Sequence, residues 1–312
     1  MKIGIIGAGF VGSTTAYTLA MKGNADEIVL IDLNSEKAQA EALDVYHAAS
    51  LTSRCKVFYG DYPDLKDADI VIITVDSKKT LDGDRMVLLA GNTAIIKSIV
   101  PNIVRFAPDC IILTATNPVD VMTKMVKQIS GFPKERVIGS GTVLDTARFR
   151  AILSERLGHI SPTSIHAYVL GEHGKTSLVA WSGASIGGAA LDEYAKHCGV
   201  EFTLSDKQQI ADEVLDAGFK IYRGKKATYY GIAASLSAIC EAIIKDQQKE
   251  MLVSSLQTEV FGIKDVCLSL PTIVGRKGAE RSIIPALSDA EKQILRQSAE
   301  AIAAASQEAS QL

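Results

Sequence analysis

Long apolar runs are missing from this 312-residue chain. Its residues are 47% hydrophobic, yet they fall in short runs, none near the roughly 18 consecutive apolar residues of a membrane-spanning helix. Charge of one sign is missing too: a net charge of −3 gives no electrostatic reason to expect nucleic acid or anionic lipid as partner. Cysteine is sparse. Cys55, Cys110, Cys198, Cys240 and Cys267 are scattered, odd in number and without CxxC spacing. That excludes a disulfide framework and a cysteine zinc site, and it implies reduced thiols in a cytoplasmic setting with no metal centre. No internal repeat or low-complexity segment is present; the alanine-rich stretch 299–305 is good helix composition. A glycine-rich pattern opening at residue 4 leaves no room for a secretory signal or transit peptide. These absences leave a soluble chain long enough for two lobes around a large core.

The first informative pattern is N-terminal. Lys2-Ile3-Gly4-Ile5-Ile6 reads as a buried strand, Gly7-Ala8-Gly9-Phe10-Val11-Gly12 follows, and Ser13 to Lys22 reads as a helix. A second strand, Glu27 to Ile31, ends at Asp32. Glycines also gather in plain turns, but this spacing between strand and helix, with an acid about 20 residues on, is the dinucleotide fingerprint. Gly7 permits the tight turn, Gly9 lets a pyrophosphate approach, and Gly12 lets helix pack on strand. Phe10 and Val11 open the helix whose free N–H groups would meet the phosphates. Asp32 would bond the ribose hydroxyls and repel a 2′-phosphate, which predicts NAD rather than NADP.

Strand and helix then alternate. Ser35 to Ala49 reads as a helix, Lys56 to Tyr59 and Ile70 to Thr74 as strands, about Asp84 to Phe106 as a helix, and Cys110 to Ala115 as a strand. Val137 to Ser140 closes the series. The alternation predicts βαβ units: a Rossmann-type doubly wound parallel sheet over residues 1–144. From 145 to 312 longer helices and antiparallel-looking runs, Ser177 to Trp181 and Val266 to Val274, predict a mixed α+β substrate domain. Ser288 and Glu291 match a capping box opening a final helix.

The chemistry-bearing residues cluster near that boundary. Leu144-Asp145-Thr146-Ala147-Arg148 is followed, 28 positions after Asp145, by His173 in Gly171-Glu172-His173-Gly174. A guanidinium fork grips a carboxylate, an imidazole moves a proton near neutral pH, and a carboxylate behind it fixes the tautomer. The set suits a small 2-oxo or 2-hydroxy acid. Asp145 and Arg148, three apart, share a helix face. The alternative is an ordinary surface pair plus a core or loop histidine. Asn117, in Thr116-Asn117-Pro118-Val119-Asp120, orients a substrate oxygen or the nicotinamide, or else is a turn asparagine. Val75 to Arg85 is polar and glycine-containing, the form of an active-site loop entering a helix, and Arg85 at its end would polarise a carbonyl.

With GxGxxG and Asp32, TNPVD, LDTARFR, HAYVLGEHG and ATYYGIA in this order, the chain resembles the L-lactate and L-malate dehydrogenase superfamily, most of all its bacterial L-lactate dehydrogenases. The resemblance implies that His173 is the acid–base, Asp145 its partner, Arg148 the clamp on the substrate carboxylate and Arg85 the polariser of the carbonyl. Asn117 would bond substrate, and Thr228 would line the pocket beside the substrate side chain. Arg150 and His166 match positions of an anion site at a subunit interface, where fructose 1,6-bisphosphate binds as effector. A homotetramer is implied.

Departures from the family pattern bear on substrate. Val75-Asp76-Ser77 replaces the usual small-residue turn, placing an acid near the cofactor. Lys175 stands where an acid is common. Lys79 falls at the position that discriminates substrates, where lactate enzymes typically carry glutamine and malate enzymes arginine. Either Lys79 faces the pocket, favouring a second carboxylate, or Lys78 and Lys79 face water and Leu81 meets the substrate. Malate and branched-chain 2-hydroxy acid dehydrogenases, and a catalytically silent NAD-sensing protein on the same fold, remain alternatives to lactate oxidation and pyruvate reduction.

Overall fold

Short runs of Ile, Val and Leu lie at the centre of the fold because a parallel sheet covered on both faces buries the side chains of both faces. The computed structural model describes residues 1–77 and 87–312 in full and residues 85–86 by backbone alone. The first half contains β1 (Lys2–Ile6), α1 (Phe10–Met21), β2 (Glu27–Ile31), α2 (Ser35–Ala49), β3 (Lys56–Tyr59) and β4 (Ile70–Ile73). It continues through α3 (Arg85–Phe106), β5 (Ile111–Thr114), α4 (Val119–Ser130) and β6 (Val137–Gly139). The second half opens with α5 (Val143–Arg156), β7 (Ile165–Leu170), β8 (Leu178–Ile186), β9 (Ala189–Ala190), α6 (Leu191–His197), α7 (Leu204–Lys225) and α8 (Tyr230–Ile244). It closes with β10 (Lys249–Met251), β11 (Ser254–Val260), β12 (Ile263–Ser269), β13 (Thr272–Gly275), β14 (Gly278–Ser282) and α9 (Asp289–Gln311).

Among the described residues the main sheet has eight strands in the order β12-β11-β6-β5-β4-β1-β2-β3. The pairs from β3 to β6 are all parallel. The chain runs outward from β1 to β3, then crosses back to lay β4 on the other side of β1. Such a reversal opens a crevice beyond the carboxyl ends of β1 and β4, where doubly wound sheets bind ligands. Two further three-stranded sheets, β7-β8-β9 and β10-β13-β14, belong to the second half.

Three details differ from the sequence-based expectation. Val137 to Ser140 does not end the sheet: β11 pairs antiparallel with β6 at Ser254–Gly139, and β12 with β11. The run Val266 to Val274 breaks at Leu270-Pro271, because proline has no N–H for a ladder, and its two parts join different sheets. Finally, residues Val87–Phe106 of α3, with mean hydropathy 1.5, are long and apolar enough by composition alone to cross a membrane. Asn92, Lys97, Asn102 and Arg105 interrupt the run without lowering its average much. In the fold its stripe Leu89, Ile96, Val100 and Ile103 is buried in a core shared with α4 and α9. The opposite face of the sheet packs on α1, α2 and α8, and a third cluster around Phe149 joins α5 to β7, β8 and α7.

The last helix is tied down at its start. Ser288 and Glu291 form the expected capping box, and Glu291 Oε1 also accepts N–H bonds from Trp181 (2.7 Å) and Ser182 (3.0 Å) of β8. Glu291 is 8% exposed, and its removal takes the acceptor from the half-buried Trp181 N–H and the more exposed Ser182 N–H. Glu291→Ala is expected to lower unfolding stability by about 1–3 kcal/mol, the cost of one poorly hydrated donor left without its charged acceptor. Urea denaturation followed by tryptophan fluorescence measures this, and an unchanged midpoint would contradict it.

Candidate active site

The start of α5 and the turn after β7 build the centre of the site. Asp145 sits in the first turn of α5, where the helix dipole favours a carboxylate, and Arg148 follows one turn later. Asp145 Oδ1 accepts from an Arg148 guanidinium nitrogen at 2.8 Å, and Oδ2 lies 2.6 Å from His173 Nδ1. One carboxylate therefore holds both cations. The His173 side chain is 31% exposed, and its other nitrogen, Nε2, has no hydrogen bond among the described residues. Burial alone would raise Asp145, but His173 and Arg148 outweigh it and hold the carboxyl below its ordinary value. Burial alone would lower His173, but Asp145 outweighs it and raises the imidazole above its ordinary value.

Several bonds fix this register. Thr142 and Thr146, one helical turn apart, both bond to Val169 of β7: the Thr142 hydroxyl donates to its carbonyl, and its N–H donates to Thr146 Oγ1. Gly171, at φ +84°, turns the chain after β7 and packs so closely on α9 that a Cβ would lie 2.5 Å from Ser298 Oγ. Glu172 N–H donates to Ser298 Oγ at 2.8 Å, and His173 N–H donates to Asp120 Oδ2 at 2.8 Å. Asp120, at the start of α4 and 2% exposed, is pushed up to about 6 by burial, with the Ser254 hydroxyl and the His173 N–H acting the other way. In the sequence Asp120 stands out only as the last residue of the motif that contains Asn117. Its role as acceptor for the His173 backbone depends on a contact 53 residues away.

On the other side of the crevice, the glycine loop has the shape that a dinucleotide needs. Gly7 adopts φ +105°, and a Cβ on Gly12 would lie 1.8 Å from the Gly7 carbonyl. Space above Gly9 is open to 4 Å, and Gly9 caps α1 without a side-chain partner for the helix amides. Asp32 Oδ2 accepts from Ala8 N–H at 2.7 Å and Oδ1 from Asn34 N–H at 2.9 Å, which sets the carboxylate beside the loop. Phe10 is 65% exposed and stacks on Tyr229, while Val11 is half-buried. These features fit a phosphate-bearing dinucleotide.

Thr228 is half-buried just before α8, whose Gly231 packs on Leu144 next to Asp145. Asn117 is exposed, and its carbonyl accepts from Asn92 Nδ2 at 2.7 Å. Asn92 was not anticipated, although it occupies the core stripe of α3 between Leu89 and Ile96, where a polar residue is itself a signal. Lys78, Lys79 and Leu81 lie outside the described residues, as does the side chain of Arg85. Arg150 and His166 fall on neighbouring segments: Arg150 Nε donates to the Ala167 carbonyl at 3.0 Å, and its guanidinium lies 5.7 Å from the Tyr168 ring centre. Tyr168 in turn donates to Glu250 at 3.1 Å, so an acid that the sequence did not indicate borders this basic pair.

Comparison with known proteins agrees with this geometry. Residues 1–139 match the lactate/malate dehydrogenase NAD binding domain, and residues 142–311 match the alpha/beta C-terminal domain of the same family. The chain is 45% identical over 300 residues to an L-lactate dehydrogenase of Thermus aquaticus, covering 96% of each chain. It is 44% identical over 297 residues to one of Acetivibrio thermocellus, covering 95% of this chain and 93% of that one. Among solved structures, the minor L-lactate dehydrogenase from Enterococcus mundtii in a ligands-bound form superimposes with a TM-score of 0.94 at 37% identity, covering 98% and 97% of the two chains. With both halves matched, and the Asp145, Arg148 and His173 constellation assembled in the second, the chain belongs to the lactate/malate dehydrogenase family.

Proposed function

We propose that this protein is an NAD-dependent L-lactate dehydrogenase that interconverts pyruvate and L-lactate in the cytoplasm, with residues 1–144 as the cofactor domain and 145–312 as the substrate domain. The observation that carries the reading is the single Asp145 carboxylate held 2.8 Å from Arg148 and 2.6 Å from His173. Gly7, Gly9, Phe10, Val11 and Gly12 would hold the dinucleotide, and Asp32 would take its ribose hydroxyls. When bound, the cofactor supplies or accepts the hydride at the substrate's C2. Arg148 keeps guanidinium donors beyond the one given to Asp145 and grips the substrate carboxylate. His173 in its imidazolium form donates the Nε2 proton to the carbonyl oxygen in reduction and takes it back in oxidation. Asp145 stabilises that imidazolium and fixes the ring through Nδ1. Asn117 orients the oxygen, Arg85 polarises the carbonyl, and Thr228 borders the side-chain pocket, while Lys79 is the candidate substrate-discriminating residue of the sequence reading.

The substrate assignment predicts pyruvate as the best of pyruvate, oxaloacetate and 4-methyl-2-oxopentanoate, with NADH strongly preferred over NADPH, in initial rates followed by NADH absorbance. His173→Ala is expected to lower turnover by a factor on the order of 10² or more, the usual worth of general acid–base catalysis. A preference for oxaloacetate in the wild-type protein would transfer the assignment to malate.

A second expectation concerns pH. Pyruvate reduction needs the protonated imidazole, so kcat/KM is flat below the His173 pKa and falls above it. Asp145 raises that pKa, so Asp145→Asn should move the inflection to lower pH. The stability that His173 gains from Asp145 carries the same sign, being present below the unfolded histidine value and lost as pH rises through the folded one. An inflection that stayed in place would show that Asp145 does not set the imidazole's protonation.

Regulation follows from Arg150 and His166, which we propose bind fructose 1,6-bisphosphate where two subunits of a homotetramer meet. The bisphosphate, titrated at pH 6 and at pH 8, should lower the KM for pyruvate, with coupling on the order of 1–3 kcal/mol. Arg150→Gln should abolish the response. Flat titrations at both pH values would leave the pair a structural one, with Arg150 held by Ala167 and Tyr168.

A further inference from the structure

Asn92 makes three hydrogen bonds with its side chain while being fully buried in α3. Its Oδ1 accepts from Ser77 N–H at 2.6 Å, and its Nδ2 donates to the Asn117 carbonyl at 2.7 Å and to Asp76 Oδ1 at 3.3 Å. A primary amide has one oxygen and two N–H donors, so both ends are engaged. The partners lie on two separate chain segments, one leaving β4 and one leaving β5, each at the carboxyl edge of the sheet. Thr116 joins the same segments by donating its hydroxyl to the Val75 carbonyl at 2.7 Å. The approach is close: a Cβ on Gly91 would lie 2.7 Å from the Ser77 side chain. A hydrocarbon at position 92 would fit the stripe of α3, yet a polar group stands there, and burying one is costly unless its bonds are specific.

We infer that Asn92 is a positioning residue, a neutral brace that sets Asn117 and the Asp76-Ser77 segment in register for catalysis. The inference deepens the proposed dehydrogenase reading and rests on it for its kinetic arm. Neutrality matters because Asp76 is an acid: an amide donor meets it, whereas a carboxylate at 92 would oppose it. The Asn117 carbonyl likewise needs a donor, which only the Nδ2 end provides. Val75, Asp76 and Ser77 stand where this family usually has a small-residue turn, so the contact to Asp76 is a feature of this chain's own sequence.

Asn92→Asp tests the brace with almost no change of shape. It keeps an oxygen for Ser77 N–H, removes the donor to Asn117 and sets two carboxylates side by side. kcat/KM for pyruvate should fall on the order of tenfold. Adding Asp76→Asn restores a donor across that pair, so the double variant should recover at least about threefold of the loss. A residue acting only as core filler gives no such recovery. Hydrogen exchange of the Ser77 amide provides a readout independent of activity: protection should persist in Asn92→Asp and be lost in Asn92→Ala. A wild-type protein that fails to reduce pyruvate overturns the dehydrogenase reading, while the exchange pattern still decides the brace. Unchanged kcat/KM in Asn92→Asp, no recovery in the double variant, or Ser77 protection that ignores Asn92→Ala overturns the brace.

Discussion

The site depends on one buried carboxylate having two cationic neighbours. Burying a charge is tolerable only when partners replace the lost water, and Asp145 has both oxygens satisfied, by Arg148 and by His173. The arrangement does more than neutralise. Because Oδ2 occupies Nδ1, the imidazole has one nitrogen left for chemistry, and because Oδ1 occupies one guanidinium nitrogen, the fork is aimed. The same carboxylate therefore aligns an imidazole and a guanidinium relative to each other. The guanidinium is placed by a helix turn and the imidazole by the turn after β7.

That alignment survives only if α5 and the turn after β7 cannot slide. Two threonines spaced one turn apart bond the N–H and carbonyl of a single strand residue, Val169, which pins the helix start to β7. Beyond the strand, Gly171 and Glu172 press on Ser298, and the His173 N–H is taken by Asp120. These four anchors come from α4, α5 and α9. The position of one imidazole thus reports on packing across most of the second half of the chain, and on α4 of the first.

Much of this architecture was legible because its signals are local. Apolar runs of four or five residues, the glycine spacing around Gly7, and the Ser288–Glu291 box each act within a few residues, and most strands and helices of the first half fell within a residue or two of their expected bounds, although α1 begins three residues before Ser13 and β8 runs on past Trp181 to Ile186. The i,i+3 relation of Asp145 and Arg148 is likewise local, and the helix delivered it. What escaped was long-range. Nothing near Ser254 says that β11 will extend the main sheet beyond β6, since register across more than a hundred residues is decided by packing. The contacts of Asp120, Asn92 and Ser298 are not local, for their partners lie 15 to 126 positions away. Arg150 was readable as a helix-surface cation, but its contact with Tyr168, and through it with Glu250, was not.

Charge balance in the centre connects proton and substrate. With His173 neutral, Asp145 and Arg148 cancel; with His173 protonated, the trio carries one net positive charge. On the proposed reading, a monoanionic 2-oxo acid seated at Arg148 cancels that charge, so the acid and the proton favour each other's binding by linkage. The 2-hydroxy acid must instead meet a neutral imidazole able to accept its hydroxyl proton, and the linkage acts in the opposite sense. A second carboxylate on the substrate would leave the trio one negative charge in excess. Only a further cation beside the substrate could offset it. On the same reading, a dicarboxylic acid is accepted only where a further cation meets its second carboxylate, whereas a monocarboxylic acid is balanced by the Asp145 centre alone.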